Sequence, residues 1–336
     1  MEEKEEEEDA WYQHYGDKYG ARKEEEDGSE ANDNGSNQQL QTHIPFTVGS
    51  LNVHYMPERG TPNLIALQDA FKGQDLQGIS EHNLNFSKIS HEDQMKQRLR
   101  KTWRTNPKSI TSWIRDTEWQ RNEKQLGGVA MLTHGKNGDY MQEAGEDIDG
   151  LARWCWMCFE GQSRIKSVVI QVYRPVLNKT NEGSVYMQQA SRIEESDVLK
   201  RYDEDLLQQI DRFIDGGYRV AVMGDFNMDV TNDTLFLIKG LKDRGIKERI
   251  VARHGKEGAP STFRYGSEVI DSIFTDDDLE IIRCGMSSGD PAMSDHRLIW
   301  VEFTRDSMIG EDCGEMYRPD TRRLQCKYKK VVKKIQ

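Results

Sequence analysis

What most limits the fold open to this chain is a repeated hand-over from helical to extended periodicity, clearest between Ser196 and Asn227. Leu199, Tyr202, Leu206, Ile210 and Phe213 recur at intervals of three and four, which puts them on one helical stripe. Ser196 is the expected N-cap and Gly216-Gly217 the stop, since a short hydroxyl satisfies the first free amides and glycine tolerates a left-handed exit. Directly afterwards Tyr218–Met223 reads as a strand that delivers Gly224-Asp225-Phe226-Asn227 at its carboxyl end. The same alternation appears earlier: a β-rich run over Phe46–Val53, a helical spacing of Leu64, Leu67 and Phe71 behind a capping Thr61, and an apolar run ending in Ile79 with Glu81 beyond it. Gly127–Leu132, Ile165–Val172, Val269–Phe274, Leu279–Cys284 and Leu298–Phe303 complete the predicted strands, and no internal repeat is visible. Polar residues gather where these strands finish, as expected of a site built on the rim of a rigid sheet.

Charge is spread unevenly. Residues 1–44 hold 14 Asp/Glu against 4 Lys/Arg, a net of −10, while residues 318–336 hold 8 Lys/Arg against one Asp, a net of +7. Of the chain's −12, about −9 therefore sits on the middle, so any grip on a polyanion must come from local patches or metal ions. The expected organisation is an acidic, disordered tail over 1–44, one domain over 45–305 and a basic tail over 306–336. A solvated end is the first reading of each tail; a phosphate clamp or a nuclear-import signal is the alternative for the basic one. No stretch approaches the roughly 18 apolar residues of a membrane span, and the N-terminus is acidic, so the expectation is a soluble intracellular protein, nuclear or cytoplasmic, neither secreted nor membrane-bound. Five cysteines give no disulfide framework. Cys155 and Cys158 form a CxxC, but within a strand an odd separation sends the sulfurs to opposite faces, which favours reduced packing cysteines over zinc or redox chemistry.

Asp225 and Asn227 are the first candidates for chemistry. In extended geometry residues two apart point to one side, and a carboxylate beside an amide suits a hard cation or a positioned water; an Asx turn after the strand is an equally weighted reading. Ser294-Asp295-His296 enters the strand Leu298–Phe303, but adjacent residues diverge, so Asp295 is not expected to orient His296. Asp271, an acid among apolar neighbours, is the expected partner of the imidazole. Glu81, Asn52 and Tyr173 are each weak alone, as a loop charge, a polar strand residue and an aromatic at a strand end.

Taken in order, Asn52 in Ser-Leu-Asn-Val, Glu81 after its strand, Tyr173 in Val-Tyr-Arg-Pro, Gly-Asp-Phe-Asn at 224–227, Thr262-Phe263, Ile270–Phe274 with Asp271, and Ser-Asp-His at 294–296 together resemble the endonuclease/exonuclease/phosphatase superfamily. The resemblance spans roughly residues 46–303. Within it, Val-Tyr-Arg-Pro followed by Gly183–Gln189 is most similar to the endonuclease domains of non-LTR retroelements. It implies an α/β (α+β) fold, a four-layer α/β sandwich with two packed mixed β-sheets flanked by helices. It also implies an Mg²⁺-dependent phosphodiesterase, with Mn²⁺ as a substitute ion.

By the resemblance Glu81 is the principal metal ligand, with Asn52 and Asp295 contributing. Asp225 activates the attacking water with Asn227, His296 held by Asp271 contacts the scissile phosphate, and Tyr173 hydrogen-bonds a phosphate oxygen. Arg174, Asn178 and Thr262 are the expected substrate contacts, Asn178 standing farther from the tyrosine motif than the family's asparagine and Arg174 offering a cation instead. Ser80 replaces the glutamine often found before the metal-binding glutamate. The implied activity is DNA nicking by a monomer, with a reverse transcriptase encoded elsewhere as a partner. A phosphoesterase of the same fold acting on RNA, phosphoinositides or phospholipid headgroups is the alternative, as is an idle binding module.

Overall fold

The computed structural model describes residues 45–58, 61–91, 94–98, 107–115, 125–161, 163–193, 197–256, 259–287 and 294–310. The acidic head, Ser196 and the chain beyond 310 lie outside the described residues. Among the described residues, the strands form two six-stranded sheets.

The first sheet is built on β1 (Pro45–Asn52) and β2 (Leu76–Ser80), which run parallel and are joined through helix α1 (Pro62–Ala70). β3 (Lys108–Ser112) and β4 (Val129–Thr133) extend one side, in the order β2-β4-β3. β12 (Ile299–Thr304) and β11 (Ile281–Met286) extend the other, antiparallel to β1. The second sheet repeats the plan. β7 (Lys166–Tyr173) and β8 (Arg219–Asp225) run parallel, with helices α3 (Val185–Ala190) and α4 (Val198–Asp215) in the crossover. β6 (Trp154–Glu160) and β5 (Met141–Glu146) flank β7, while β10 (Asp271–Thr275) and the short β9 (Lys247–Glu248) flank β8; the short helices α2 (Gly135–Gly138) and α6 (Ile250–His254) precede β5 and β10. Both sheets are therefore mixed, each with one parallel pair.

Side-chain alternation divides the core into three layers. Phe46, Val48, Leu76, Val129, Met131, Met157, Val169, Ala221, Met223 and Ile273 fill the space between the sheets. Val168, Ile170, Val220 and Val222 turn outward onto Tyr202, Leu206 and Ile210 of α4 and onto Leu237 and Leu241 of α5 (Phe236–Asp243). Leu51, Ile79 and Leu132 turn outward on the first sheet against Leu64, Leu67 and Phe71. The result is the expected sandwich, helices outside and two sheets within. Leu206 and Ile210 are each fully buried, and each contributes roughly 1.5–3 kcal/mol through its removal from water.

The sequence reading holds for α1, whose Thr61 side chain accepts from the amide of Leu64. For α4 the cap is one residue later than expected, because Asp197 supplies the oxygen that accepts from Leu199 and Lys200. Cys155 packs between the sheets and Cys158 on the outer side, both free thiols, as the odd spacing requires. The ordered core also runs past Arg305: residues 305–309 form α7 (Arg305–Ile309), with Met308 and Ile309 buried between the sheets. The carbonyls of Ser307 and Met308 accept from Arg219 and Ser167 at 2.6 Å each, which fastens α7 to the second sheet. No helix among the described residues is long and apolar enough to cross a membrane.

Candidate active site

Topology explains why distant segments meet. The parallel pair of each sheet finishes at the same end of the sandwich, so Asn52, Glu81, Tyr173 and Asp225 arrive there as strand ends. Antiparallel neighbours begin where those strands finish. Asp271 opens β10 directly opposite Asp225, and Tyr173 is the register partner of Asp225 on its other side. Asn52, Tyr173, Asp225 and Asp271 share the alternation of Val48, Val169, Met223 and Ile273, and so face inward between the sheets.

Asn52 joins two acids. Its amide nitrogen donates to Glu81 Oε2 at 3.0 Å and to Asp225 Oδ2 at 2.8 Å, while its oxygen accepts from the amide of His54 at 2.8 Å. The Tyr173 hydroxyl donates to Glu81 Oε1 at 2.5 Å, and His54 Nδ1 lies 3.8 Å from Glu81 Oε2. Burial pushes the Glu81 carboxyl up, but the nearby His54 ring and the hydrogen bonds from Tyr173 and Asn52 outweigh it and hold the group below its ordinary value, hence ionised at neutral pH. Burial and the negative charges of Glu81 and Asp225 keep the Tyr173 phenol well above its ordinary value, so it remains a donor.

On the other side, His296 Nδ1 is 2.8 Å from Asp271 Oδ2. Burial opposes a charged imidazole, but Asp271, Asp225 and Asp295 prevail and push it up to about 9. The ring is therefore an imidazolium at neutral pH, and its Nδ1–H donates to Asp271. Asp225 is raised well above the carboxylate range, by burial first and then by Asp271. Asp225, Asp271 and His296 bring one ligand atom each to within 4.8 Å of one another. Because the ring is protonated and its Nδ1 already engaged, that trio serves better as a charge relay than as a cation cage.

Local backbone geometry supports the cluster. Asn227 is left-handed (φ 47°), and its amide donates to Asp225 Oδ1 at 2.9 Å, so an Asx turn rather than an extended strand places it. Its side chain then donates to the carbonyl of Arg174 at 2.6 Å. His54, Glu81 and Asn83 are also non-glycine residues at positive φ, and such strain gathers at functional rims. Gly224 is required where it stands: at φ 136°, a Cβ would lie 2.2 Å from the Val172 carbonyl oxygen. Ser294 Oγ donates to the Asn52 carbonyl and accepts from the His296 amide at 3.0 Å, tying the 294–296 segment to the end of β1.

Asp271 is the acid bonded to the His296 ring. The Asp295 Oδ1 is buried with no hydrogen-bond partner among the described residues, yet it lies close enough to His54 and His296 to raise both. A buried carboxylate oxygen left without a donor is costly unless a cation completes it. With Glu81 ionised nearby, the donor set is hard and oxygen-rich, which suits Mg²⁺.

Three expected substrate contacts do not join the cluster. Thr262 is fully buried, and its Oγ1 accepts from the amides of Ile270 and Asp271 at 2.9 Å each, so it positions Asp271. Arg174 forms a two-pronged pair with Asp203 of α4 at 2.8 and 3.2 Å. Asn178 accepts from Thr180 and Asn181 and holds a surface turn. Sequence reasoning missed Gln171, whose amide donates to Ser80 Oγ at 2.8 Å, and Ser80 donates in turn to the Val172 carbonyl at 3.0 Å. This link between sheets sits directly beneath Glu81; an amide inside the run Ile165–Val172 was its only sequence signal. His54 was missed as well, and it carried none.

No protein-family model matches the sequence, and no curated protein matches it by sequence. Solved structures do match. The 3′-5′ exonuclease NExo from Neisseria meningitidis superposes with a TM-score of 0.54 at 14% identity, over 77% of this chain and 99% of that one. A protein from Bacteroides vulgatus described as an endonuclease/exonuclease/phosphatase gives 0.52 at 14%, over 77% and 98%. This is the endonuclease/exonuclease/phosphatase fold. The Xenopus laevis APE2 catalytic domain has the same fold, with a TM-score of 0.53, 14% identity and coverage of 80% and 95%. Identities this low establish the fold, while substrate rests on the site.

Proposed function

We propose that this protein is a divalent-metal-dependent phosphodiesterase, and specifically a Mg²⁺-dependent DNA endonuclease of retroelement origin. The carrying observation is one rim where Asn52 bridges an ionised Glu81 to a proton-hungry Asp225, Asp271 holds His296 charged, and an oxygen of Asp295 is left without a donor among the described residues. Glu81 and Asp295 would hold the ion, with Asn52 spacing the acids; Mg²⁺ there would neutralise charge on non-bridging phosphate oxygens.

The chain's own groups supply the rest. Asp225, whose proton affinity is raised, takes a proton from the attacking water as the water oxygen bonds phosphorus. Asn227 and Asn52 fix that carboxylate from either side. His296, held charged by Asp271, stabilises the phosphorane charge, and Tyr173 donates to a phosphate oxygen. The P–O3′ bond breaks, and the leaving oxygen takes a proton to give a 3′-hydroxyl beside a 5′-phosphate. The retroelement reading is supported by Val172-Tyr173-Arg174-Pro175 and Gly183–Gln189, and it implies a reverse transcriptase encoded elsewhere.

Supercoiled plasmid incubated with the protein and Mg²⁺ is expected to be nicked, with nicking abolished by EDTA and lowered by orders of magnitude in His296→Ala. Plasmid that stays intact while a labelled RNA or phosphoinositide is hydrolysed would redirect the substrate; no hydrolysis of any phosphodiester would defeat the proposal.

A further inference from the structure

Beyond Tyr173 the chain does not leave the rim at once. The Arg174 amide donates to the Asp225 carbonyl at 2.9 Å, and the Arg174 carbonyl accepts from Asn227 at 2.6 Å. Its backbone is thus tied to the rim, while its guanidinium, clamped to Asp203, lines an open cavity of about 600 Å³. The cavity lies between the segment after Tyr173, the first turn of α4 and the start of α5, with Leu177, Lys179, Tyr186, Leu199, Lys200 and Phe236 around it.

Its chemistry is of two kinds. Leu177 and Phe236 are 58% and 59% exposed, although each is large and apolar. The Lys179 ammonium rides 5.9 Å above the Tyr186 ring, and among the described residues Lys200 makes an exposed, weak pairing with Glu204 at 3.7 Å. The two acids in the lining are already committed, Asp203 to Arg174 and Asp197 to the amides of Leu199 and Lys200. What is offered to a ligand is therefore flat apolar surface bordered by ammonium groups. An unpaired nucleobase flanked by its backbone phosphates matches both, and a volume of this size suits a ligand of that class.

We infer that this cavity seats an unpaired base of the substrate strand, next to the scissile phosphate, with Phe236 as the stacking surface and Lys179 and Lys200 on the adjoining phosphates. The inference rests on the nuclease reading above and adds to it a preference for single-stranded or locally splayed DNA. A base paired within a duplex cannot enter the cavity without leaving its stack.

The test uses the whole chain in EDTA, titrated into a fluorescein-labelled single strand, the duplex of the same sequence, and single strands carrying one abasic position at a time. Phe236→Ala is expected to weaken single-strand binding by roughly 5- to 150-fold, the range that base–aromatic stacking commands. Duplex binding should stay nearly unchanged, and one abasic position should reproduce the loss. Phe236→Trp should retain binding. The double variant Lys179→Ala/Lys200→Ala should flatten the log–log salt dependence by about 1.4. Single-strand affinity unaltered in Phe236→Ala, or an equal loss on the duplex, overturns the inference. Because EDTA removes turnover, a wild-type protein that binds in this pattern but cuts no DNA in Mg²⁺ would sink the nuclease reading and leave the base pocket standing.

Discussion

Replacing Asp271 by Asn removes one charge from the centre of the site while keeping an oxygen that can accept the His296 Nδ1–H. In the wild-type protein the ring is pushed from an ordinary 6.5 up to about 9 against the cost of burial. The folded value lies above the unfolded one, so the charged ring stabilises the fold fully below about pH 6.5, and the contribution fades as pH rises through about 9. The difference in proton affinity corresponds to about 3 kcal/mol. Asp271 is the foremost of the groups that raise the ring, and loss of an adjacent opposite charge moves a titration by roughly 1–3 pH units. Asp271→Asn should therefore bring His296 down by at least about one unit, and urea unfolding should lose at least about 1.4 kcal/mol of its dependence on pH between 6.5 and 9. The imidazole Cε1–H resonance, followed by NMR in EDTA, reports the titration directly. A wild-type ring titrating near 6.5, or an Asp271→Asn ring unchanged from wild type, would refute the charge-pair account of the site.

Thr262→Val strands the amides of Ile270 and Asp271, the second of them buried, and should cost at least about 1–3 kcal/mol in urea unfolding while lowering nicking activity through a displaced Asp271. Gly224→Ala forces a Cβ to 2.2 Å from the Val172 carbonyl oxygen at a φ of 136°, so it should destabilise by at least about 2 kcal/mol, seen as a lower urea midpoint. Glu81→Gln removes the ionised ligand and should weaken Mg²⁺ binding, measured by calorimetry, at least about tenfold. Cys155 and Cys158, with thiols raised by burial, Cys158 to about 12, should ignore a thiol-specific dye in the native protein and react only as it unfolds.

The local and the long-range parts of this molecule were not equally legible. Helix α4 was readable because its stripe of Leu206, Ile210 and Phe213 is a property of neighbours in sequence, and so was the division of Cys155 and Cys158 between two faces. The pairing of His296 with Asp271 was inferable from cost alone: a carboxylate among Ile270, Ile273 and Phe274 needs a partner. Asn227 was legible as a participant but not in its geometry, since nothing in Gly-Asp-Phe-Asn says whether the chain stays extended or turns left-handed after Asp225. Thr262 was noticed next to a strand, but its hold on Asp271 was not legible, because its two amide partners are eight and nine residues away across a loop.

The sequence by itself determined the alternation of helices and strands, the inward and outward faces, and the presence of oxygen-bearing side chains at strand ends. Only the tertiary structure decided that Asn52 would bridge Glu81 and Asp225, that Ser80 and Gln171 would link the sheets beneath them, and that Arg174 would turn to Asp203. The reason is one of range. Periodicity is set by the 3.6-residue and two-residue repeats of a single segment. Contacts between residues 29 and 173 positions apart depend on how two sheets register against each other, a quantity that the whole core fixes and no single segment carries.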